Sequence, residues 1–72
     1  MDMKKYYTEL ATNIRVERAK NKISQQQLAE MAGVSLETIG QIERELANPT
    51  LSTIISIASA LEVSLNDLIL LK

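Results

Sequence analysis

A chain of 72 residues can form one domain with a small hydrophobic core, so we expect its stability to rest on regular packing. It contains neither cysteine nor histidine, which argues against most enzymes and leaves no expectation of a catalytic, metal or cofactor site. A net charge of −1 does not exclude a nucleic-acid partner, because basic residues concentrate between residues 13 and 25. No segment resembles a membrane span or a secretory signal, so we expect a cytoplasmic location.

The first predicted helix covers residues 4–20, because a stripe of mostly apolar side chains recurs there at helical spacing. The stripe consists of Tyr7, Leu10, Ala11, Ile14 and Arg18. Arg18 therefore falls on the inward face, where a charge needs a partner. No stretch of useful length alternates apolar and polar residues, so no strand is predicted.

Four further helix starts share one pattern: an apolar residue or proline, a hydroxyl residue, two arbitrary residues, a polar residue and an aliphatic one. The hydroxyl residues, which we expect to cap the helices, are Ser24, Ser35, Thr50 and Ser64. The corresponding helices are predicted at 25–32, 36–45, 51–61 and 65–71. The chain is thus predicted to be a single all-α domain, residues 1–72, with five helices.

The segment SQQQLAEMAGVSLETIGQIER joins the second and third helices through a tight corner. Gly33 follows the last residue of the second helix, where a positive φ is cheap only without a Cβ. Ala29 lets the two helices cross closely, and Ile39 and Ile42 are expected to close the core between them. A rigid corner that directs one short helix outward is how proteins enter the DNA major groove. Residues 25–44 are therefore predicted to form a helix-turn-helix.

From about Ile14 to Leu68 the chain resembles the Cro and phage-repressor type of helix-turn-helix protein, also called the xenobiotic response element family. The resemblance rests on the segments SQQQLAEMAGVSLETIGQIE, NPTLSTI and ALEVSLNDL. It implies a compact, five-helix, lambda-repressor-like DNA-binding domain and the function of a transcription regulator. The small size is also similar to that of restriction-modification controller proteins and of the smallest phage regulators.

The sequence departs from the family pattern in three places. Glu45-Leu46-Ala47 stands where the family has glycine followed by basic residues, which removes phosphate contacts and is expected to extend the third helix. Glu62 replaces a glycine before the last helix, a change that a helix end tolerates. Gly40 lies inside the third helix, where a close approach to DNA or to a partner would explain it, and chance is the alternative.

The outward face of the third helix is predicted to contact bases in the major groove. Gln41 can pair with adenine, and Glu37 can accept a hydrogen bond from the cytosine amino group. Leu36 and the methyl group of Thr38 can contact a thymine methyl, although Thr38 can instead lie on a phosphate. An ordinary solvated helix face is the alternative for all four residues.

Phosphate contacts are predicted for Gln25 and Arg44. Gln25 begins the second helix, and a helix N-terminus offers amides and a positive dipole end to an anion. The alternative for Gln25 is a plain first-turn residue. Arg15 and Lys22 are expected to be solvated charges that attract the phosphate backbone diffusely, and specific phosphate contacts are the alternative.

An ion pair is predicted between Arg18 and Glu43. Glu43 lies on the inward stripe of the third helix, together with Ile39, Ile42 and Leu46. Because an unpaired buried charge is strongly destabilising, pairing the two is the natural solution, and the family resemblance implies the same pair. A solvated surface pair is the alternative.

The C-terminal region, about residues 51–72, is predicted to form a homodimer interface. Aliphatic side chains would occupy nearly every side of a helix over 65–71, which is more than its own core can cover. With Leu65 and Leu68 directed inward, the residues expected at the interface are Ile55, Ile57, Ile69, Leu70 and Leu71. A frayed terminal turn is the alternative.

These features favour a sequence-specific DNA-binding transcription regulator that binds a two-fold symmetric operator in double-stranded DNA as a homodimer. No catalysis, cofactor or membrane partner is expected. No small-molecule ligand is expected either, since no second domain is predicted that could sense one. The acidic pI, near 5.3, keeps an alternative open: an antitoxin or another protein-interaction module that uses the same fold.

Overall fold

The computed structural model describes residues 2–70, and these residues fold into five α-helices. The helices are α1 (Met3–Asn21), α2 (Gln25–Ala32), α3 (Leu36–Glu43), α4 (Leu51–Leu61) and α5 (Leu65–Leu68). The described residues contain no β-strand, so the predicted all-α fold class is confirmed. None of the helices within these residues is long and apolar enough to cross a membrane.

The four predicted cap residues all begin their helices. Each side-chain oxygen accepts a hydrogen bond from the backbone N–H three residues further on, and the caps are Ser24, Ser35, Thr50 and Ser64. At two of the caps the polar residue three positions later, Gln27 or Asp67, also accepts from the backbone N–H of the cap residue. Each cap contributes about 1 kcal/mol, so these helix starts are determined locally.

Residues in the left-handed conformation follow α1, α2, α3 and α4. Gly33 ends α2 with a φ of 72°, as predicted. Lys22, Glu45 and Glu62 adopt φ values of 56°, 61° and 58° without being glycine. Each of these three positions therefore carries a conformational cost of about 1 kcal/mol that a glycine would not.

The predicted extension of the third helix to residue 45 is wrong. α3 ends at Glu43, Glu45 turns the chain, and the backbone N–H of Leu46 donates to the carbonyl oxygen of Gln41 at 2.8 Å. This turn is the one that a glycine commonly makes at a helix end. Leu46, which was predicted on the inward face, consequently projects into solvent.

The predicted extent of the last helix, to residue 71, is also wrong. α5 ends at Leu68, and Ile69 is extended with a φ of −137°. The amide of Asn13 donates to the carbonyl oxygen of Leu68 at 2.8 Å, and the N–H of Leu70 donates to the carboxylate of Glu9 at 2.7 Å. These hydrogen bonds hold the C-terminal segment along α1, so Ile69 and Leu70 do not continue a helical surface.

The core is formed by apolar side chains from all five helices. α2 packs on α3 and α4, α1 packs on α3, and α5 packs on α1 and α4. The buried apolar residues are Leu10, Ala11, Ile14, Leu28, Ala29, Ile39, Ile42, Ile54, Ile57, Ala58, Leu61 and Leu68. α3 buries Ile39, Gly40, Ile42 and Glu43, and the opposite face of this helix is left to solvent.

Candidate nucleic-acid interface

The corner between α2 and α3 is short and closed by backbone hydrogen bonds. The N–H of Gly33 donates to the Glu30 carbonyl oxygen at 3.3 Å, and the N–H of Val34 donates to that of Ala29 at 3.0 Å. No atom lies within 4 Å of where a Cβ at Gly33 would stand, so the positive φ rather than crowding requires glycine here. The corner directs α3 outward from the domain.

The four residues predicted to contact bases lie on the accessible part of α3. Leu36 is 46% exposed, Glu37 is exposed, and Thr38 and Gln41 are half-exposed. The hydroxyl of Thr38 is 2.8 Å from that of Ser35, so it is engaged at the helix start. The side chains of Glu37 and Gln41 form no hydrogen bond with another residue in 2–70, which leaves their polar groups available to a ligand.

Glu43 joins three helices through one buried carboxylate. It is only 5% exposed, and Arg18 donates to it from Nε at 2.7 Å and from Nη2 at 2.9 Å. Gln25, at the start of α2, donates from Nε2 to the same carboxylate at 3.1 Å. We call Arg18, Gln25 and Glu43 the carboxylate hub.

The carboxylate hub fixes α3 against α1 and α2. Arg18 also donates from Nη1 to the carbonyl oxygen of Ile23 at 3.1 Å, so its guanidinium bonds the α1–α2 turn as well. Hydrogen bonding to Glu43 raises the pKa of Arg18 above its ordinary value, with the carboxylate charge adding in the same sense and burial opposing it. Arg18 thus remains charged throughout the accessible pH range.

Two residues predicted to contact phosphate have structural hydrogen bonds that sequence reasoning missed. Gln25 belongs to the hub, and Arg15 donates from Nη1 to the backbone carbonyl oxygen of Glu43 at the end of α3. The signal for Arg15 is its position three residues before Arg18, on the same side of α1. Both residues therefore help to position α3, whatever else they contact.

The other two residues predicted near phosphate are exposed. Lys22 forms the left-handed end of α1, and Arg44 follows α3 as its C-terminal cap residue. The guanidinium of Arg44 folds back over Gly40, one helical turn earlier. Arg44 therefore lies on the same side of α3 as the residues predicted to contact bases.

The residues predicted at a dimer interface have different positions. Ile55 and Leu70 are each 51% exposed, whereas Ile69 is half-buried against the core. The assignment of Ile57 to the interface is wrong, because its side chain is fully buried beside Ile54 and the rest of the core. Leu71 lies outside the described residues.

Ile55 also borders an open groove between α2 and α4. The groove has a volume of about 580 Å³ and is lined by Met31, Ala32, Ile55, Ser56, Ser59 and Ala60. Its two largest apolar side chains, Met31 and Ile55, are both exposed. We call it the α2–α4 groove.

Comparison with known proteins identifies the class. Residues 14–68, most of the chain, match the helix-turn-helix family HTH_3. The chain belongs to this family, and its fold is that of DNA-binding transcription regulators. The outward α3 and the corner that precedes it are the second helix and the turn of the helix-turn-helix.

The particular relatives include controller proteins and a phage repressor. The chain is 45% identical over 69 residues to the control protein C.SmaI of Serratia marcescens, covering 96% of this chain and 79% of that protein. Its structure is similar to that of the restriction-modification controller protein C.AhdI from Aeromonas hydrophila, with a TM-score of 0.82 and 27% identity. The match covers 86% of this chain and 94% of that protein. It is also similar to the P22 c2 repressor in complex with synthetic operator 9T, with a TM-score of 0.78 and 34% identity. This match covers 85% of this chain and 92% of that protein. The predicted resemblance to phage repressors and controller proteins is confirmed.

Proposed function

We propose that this chain is a sequence-specific transcription regulator that binds a two-fold symmetric operator as a homodimer, with α3 in the major groove. The observation that carries the proposal is the face of α3: its side chains are accessible while the helix itself is held by the carboxylate hub. A base-reading helix has to keep its orientation when it enters the groove. The similarity to a repressor solved with operator DNA supports the same arrangement.

Base recognition is assigned to the accessible side chains near the start of α3. Glu37 accepts from a cytosine amino group, and Gln41 pairs with adenine through its amide. Leu36 contacts a thymine methyl, and the methyl of Thr38 can do so as well. The 46% exposure of Leu36 supports this assignment, because an apolar side chain at the first helical position gains by contact with a methyl group.

Phosphate contacts are assigned to Gln25, Arg15 and Lys22. An amide nitrogen carries two hydrogens, so Gln25 can bond Glu43 with one and a phosphate oxygen with the other. Arg15 likewise has donors beyond the one used on the Glu43 carbonyl oxygen. These contacts orient α3 on the duplex without distinguishing sequences.

The homodimer is assigned to the exposed apolar surface of α4 and the C-terminal segment. Ile55 beside the α2–α4 groove, together with Ile69 and Leu70, offers apolar area that a second copy of the chain can bury. A closed two-fold contact uses the same patch on both copies. It would also set two α3 helices about 34 Å apart, one turn of DNA.

Selection from random-sequence DNA tests the proposed function. The parent should enrich a two-fold symmetric consensus, and Gln41→Ala and Glu37→Ala should each relax one base position in both half-sites. The matched control is Gln26→Ala, since Gln26 is exposed on α2 and is not assigned to any base. No enrichment by the parent would contradict the proposal and favour a protein-interaction module.

Sedimentation tests the homodimer separately. The parent should be dimeric at tens of micromolar, and a variant with Ile55→Asp and Leu70→Asp should be monomeric. Val16→Asp places the same charge at another exposed apolar side chain, on α1, and should leave the dimer intact. A monomeric parent, or a double variant that still dimerises, would contradict this assignment.

A further inference from the structure

Gly40 is an unexpected residue for the middle of a short helix that must stay rigid. Glycine is the least favourable residue in a helix interior apart from proline. Only Gly33, among the glycines of the described residues, has a positive φ, so Gly40 is not needed for its backbone conformation. The property of glycine that the structure uses at this position is its lack of a side chain.

The space above Gly40 is filled by the guanidinium of Arg44. A Cβ at Gly40 would stand 3.0 Å from Nη1 of Arg44 and 3.7 Å from both Cζ and Nη2. A distance of 3.0 Å is tighter than an ordinary contact, so a Cβ at position 40 would push the guanidinium outward by a few tenths of an ångström. Gly40 thus allows Arg44 to lie flat along the helix.

The direction of Arg44 follows from helix geometry. Side chains lean toward the N-terminus of their helix, and residues four apart lie one above the other. Leu36, Gly40 and Arg44 therefore share one line, and the guanidinium is carried about one turn, ~5.4 Å, toward the start of α3. The guanidinium comes to lie over Gly40, on the helix that carries the residues assigned to bases.

The guanidinium of Arg44 is not used within the fold. It forms no ion pair or hydrogen bond with another residue in 2–70, whereas Arg15 and Arg18 are both bonded to Glu43. Its donors are thus free on an accessible face. Arginine is the side chain best suited to guanine, because it donates to O6 and N7 together.

Resting on the proposed function, we infer that Arg44 contacts a guanine base rather than a phosphate, and that Gly40 is a specificity-determining position because it holds that path open. The sequence alone assigns Arg44 to a phosphate at the end of α3. Its position over Gly40 moves the guanidinium away from that end and toward the bases. A phosphate contact at the rim would not require a glycine one turn earlier.

Gly40→Ala separates this role from fold stability. Alanine favours the helix, so the variant should unfold at or above the temperature of the parent. Its new Cβ should shift the guanidinium by a few tenths of an ångström and so weaken the preference for guanine at one base pair of each half-site. Arg44→Ala removes the guanidinium donors, and it should relax the same base pair.

Modified DNA gives the most direct measurement. Replacing that guanine with 7-deazaguanine removes the N7 acceptor, and this should weaken binding of the parent by at least about fivefold. The same replacement should leave the affinity of Arg44→Ala nearly unchanged, and it should weaken binding of Gly40→Ala less than binding of the parent. Lys22→Ala is the control for a phosphate contact, and it should weaken binding to all sequences alike while keeping the sensitivity to 7-deazaguanine.

Three results would overturn the inference. A parent that selects no sequence overturns the proposed function and this inference together. A parent with a symmetric consensus that Arg44→Ala and Gly40→Ala leave unchanged overturns the inference alone. The same holds if Arg44→Ala weakens every sequence equally, since that is the behaviour of a phosphate contact.

Discussion

The two ends of the domain are built on different chemistry. At one end, α1, α2 and α3 meet at the carboxylate hub, where the Glu43 side chain accepts three hydrogen bonds and its backbone carbonyl oxygen accepts one from Arg15. At the other end, α4 and the C-terminal segment expose two apolar side chains: Ile55, which borders the α2–α4 groove, and Leu70. The polar groups of the first end find their hydrogen-bond partners within a single copy of the chain, whereas the second end leaves apolar surface uncovered.

This difference suggests a division of labour. Hydrogen bonds are directional, so the hub can fix the angle of α3 to the accuracy that base contacts need. Apolar contact is less directional and roughly proportional to area, so it suits an interface that forms and dissociates with protein concentration. The predictions that follow test the two ends, in order of decreasing effect.

The largest expected effect comes from removing the hub carboxylate. Glu43→Ala leaves Arg18 partly buried without its partner and should cost about 3–5 kcal/mol, enough to unfold so small a domain. Denaturant unfolding measures this cost, with Glu17→Ala as the control. Glu17 pairs with exposed Lys20 on α1, and that pair should be worth less than about 1 kcal/mol. Equal effects of the two substitutions would mean that the hub behaves as a surface pair.

The next effect distinguishes the buried and exposed parts of the C-terminal end. Leu68→Ala removes a fully buried side chain and should cost about 2–5 kcal/mol. Leu70→Ala, two residues later, should change the stability of the monomer by less than about 0.5 kcal/mol, because Leu70 is half in solvent. Both free energies are measured by denaturant unfolding at protein concentrations below those at which the chain dimerises. A large cost at Leu70 would show that it belongs to the core instead of to an interface.

A smaller and stabilising effect is expected at the end of α4. Glu62→Gly should raise stability by about 0.5–1 kcal/mol, since glycine adopts the left-handed conformation without the Cβ penalty. Glu62→Ala removes the same charge but keeps the penalty, so it is the matched control. If alanine stabilises the domain as much as glycine does, charge rather than conformation is responsible.

The smallest effect is a pH dependence at the start of α5. The backbone N–H of Ser64, followed by its hydroxyl, hydrogen-bonds the carboxylate of Asp67 and lowers its pKa below the usual value of 3.8. A lowered pKa in the folded state contributes stability above the unfolded pKa and loses it as pH falls through the folded one. The parent should therefore lose more stability than Asp67→Asn between pH 5 and pH 2. Parallel curves for the two proteins would contradict this contribution.

The parts of the fold that depend on neighbouring residues were predictable from sequence. The hydroxyl caps and Gly33 act within a few residues, so they fixed four helix starts and the corner. The ends of α3 and α5 were not predictable in this way. Glu45 adopts a conformation that local preference disfavours, and α5 stops where Asn13 and Glu9, more than fifty residues earlier, bond its backbone.

The candidate site likewise has features that the sequence predicts and features that it does not. The accessible face of α3 follows from helical spacing, because Ile39 and Ile42 define the buried side. Helical spacing also explains the error at Ile57, which lies on the buried stripe with Ile54 and Leu61, opposite Ile55. The bonds from Gln25 and Arg15 to Glu43 needed the three-dimensional arrangement of three helices, so spacing along the chain could not provide them.

The central claim is that two copies of α3 contact one symmetric operator at the same time. The most direct test titrates the parent into its selected symmetric DNA and into the same duplex with five base pairs inserted at the centre. Because the insertion rotates one half-site by about half a turn, a dimer with its α3 helices ~34 Å apart should lose most of its affinity and bind each half-site only weakly. Equal affinity for the two duplexes would contradict the claim.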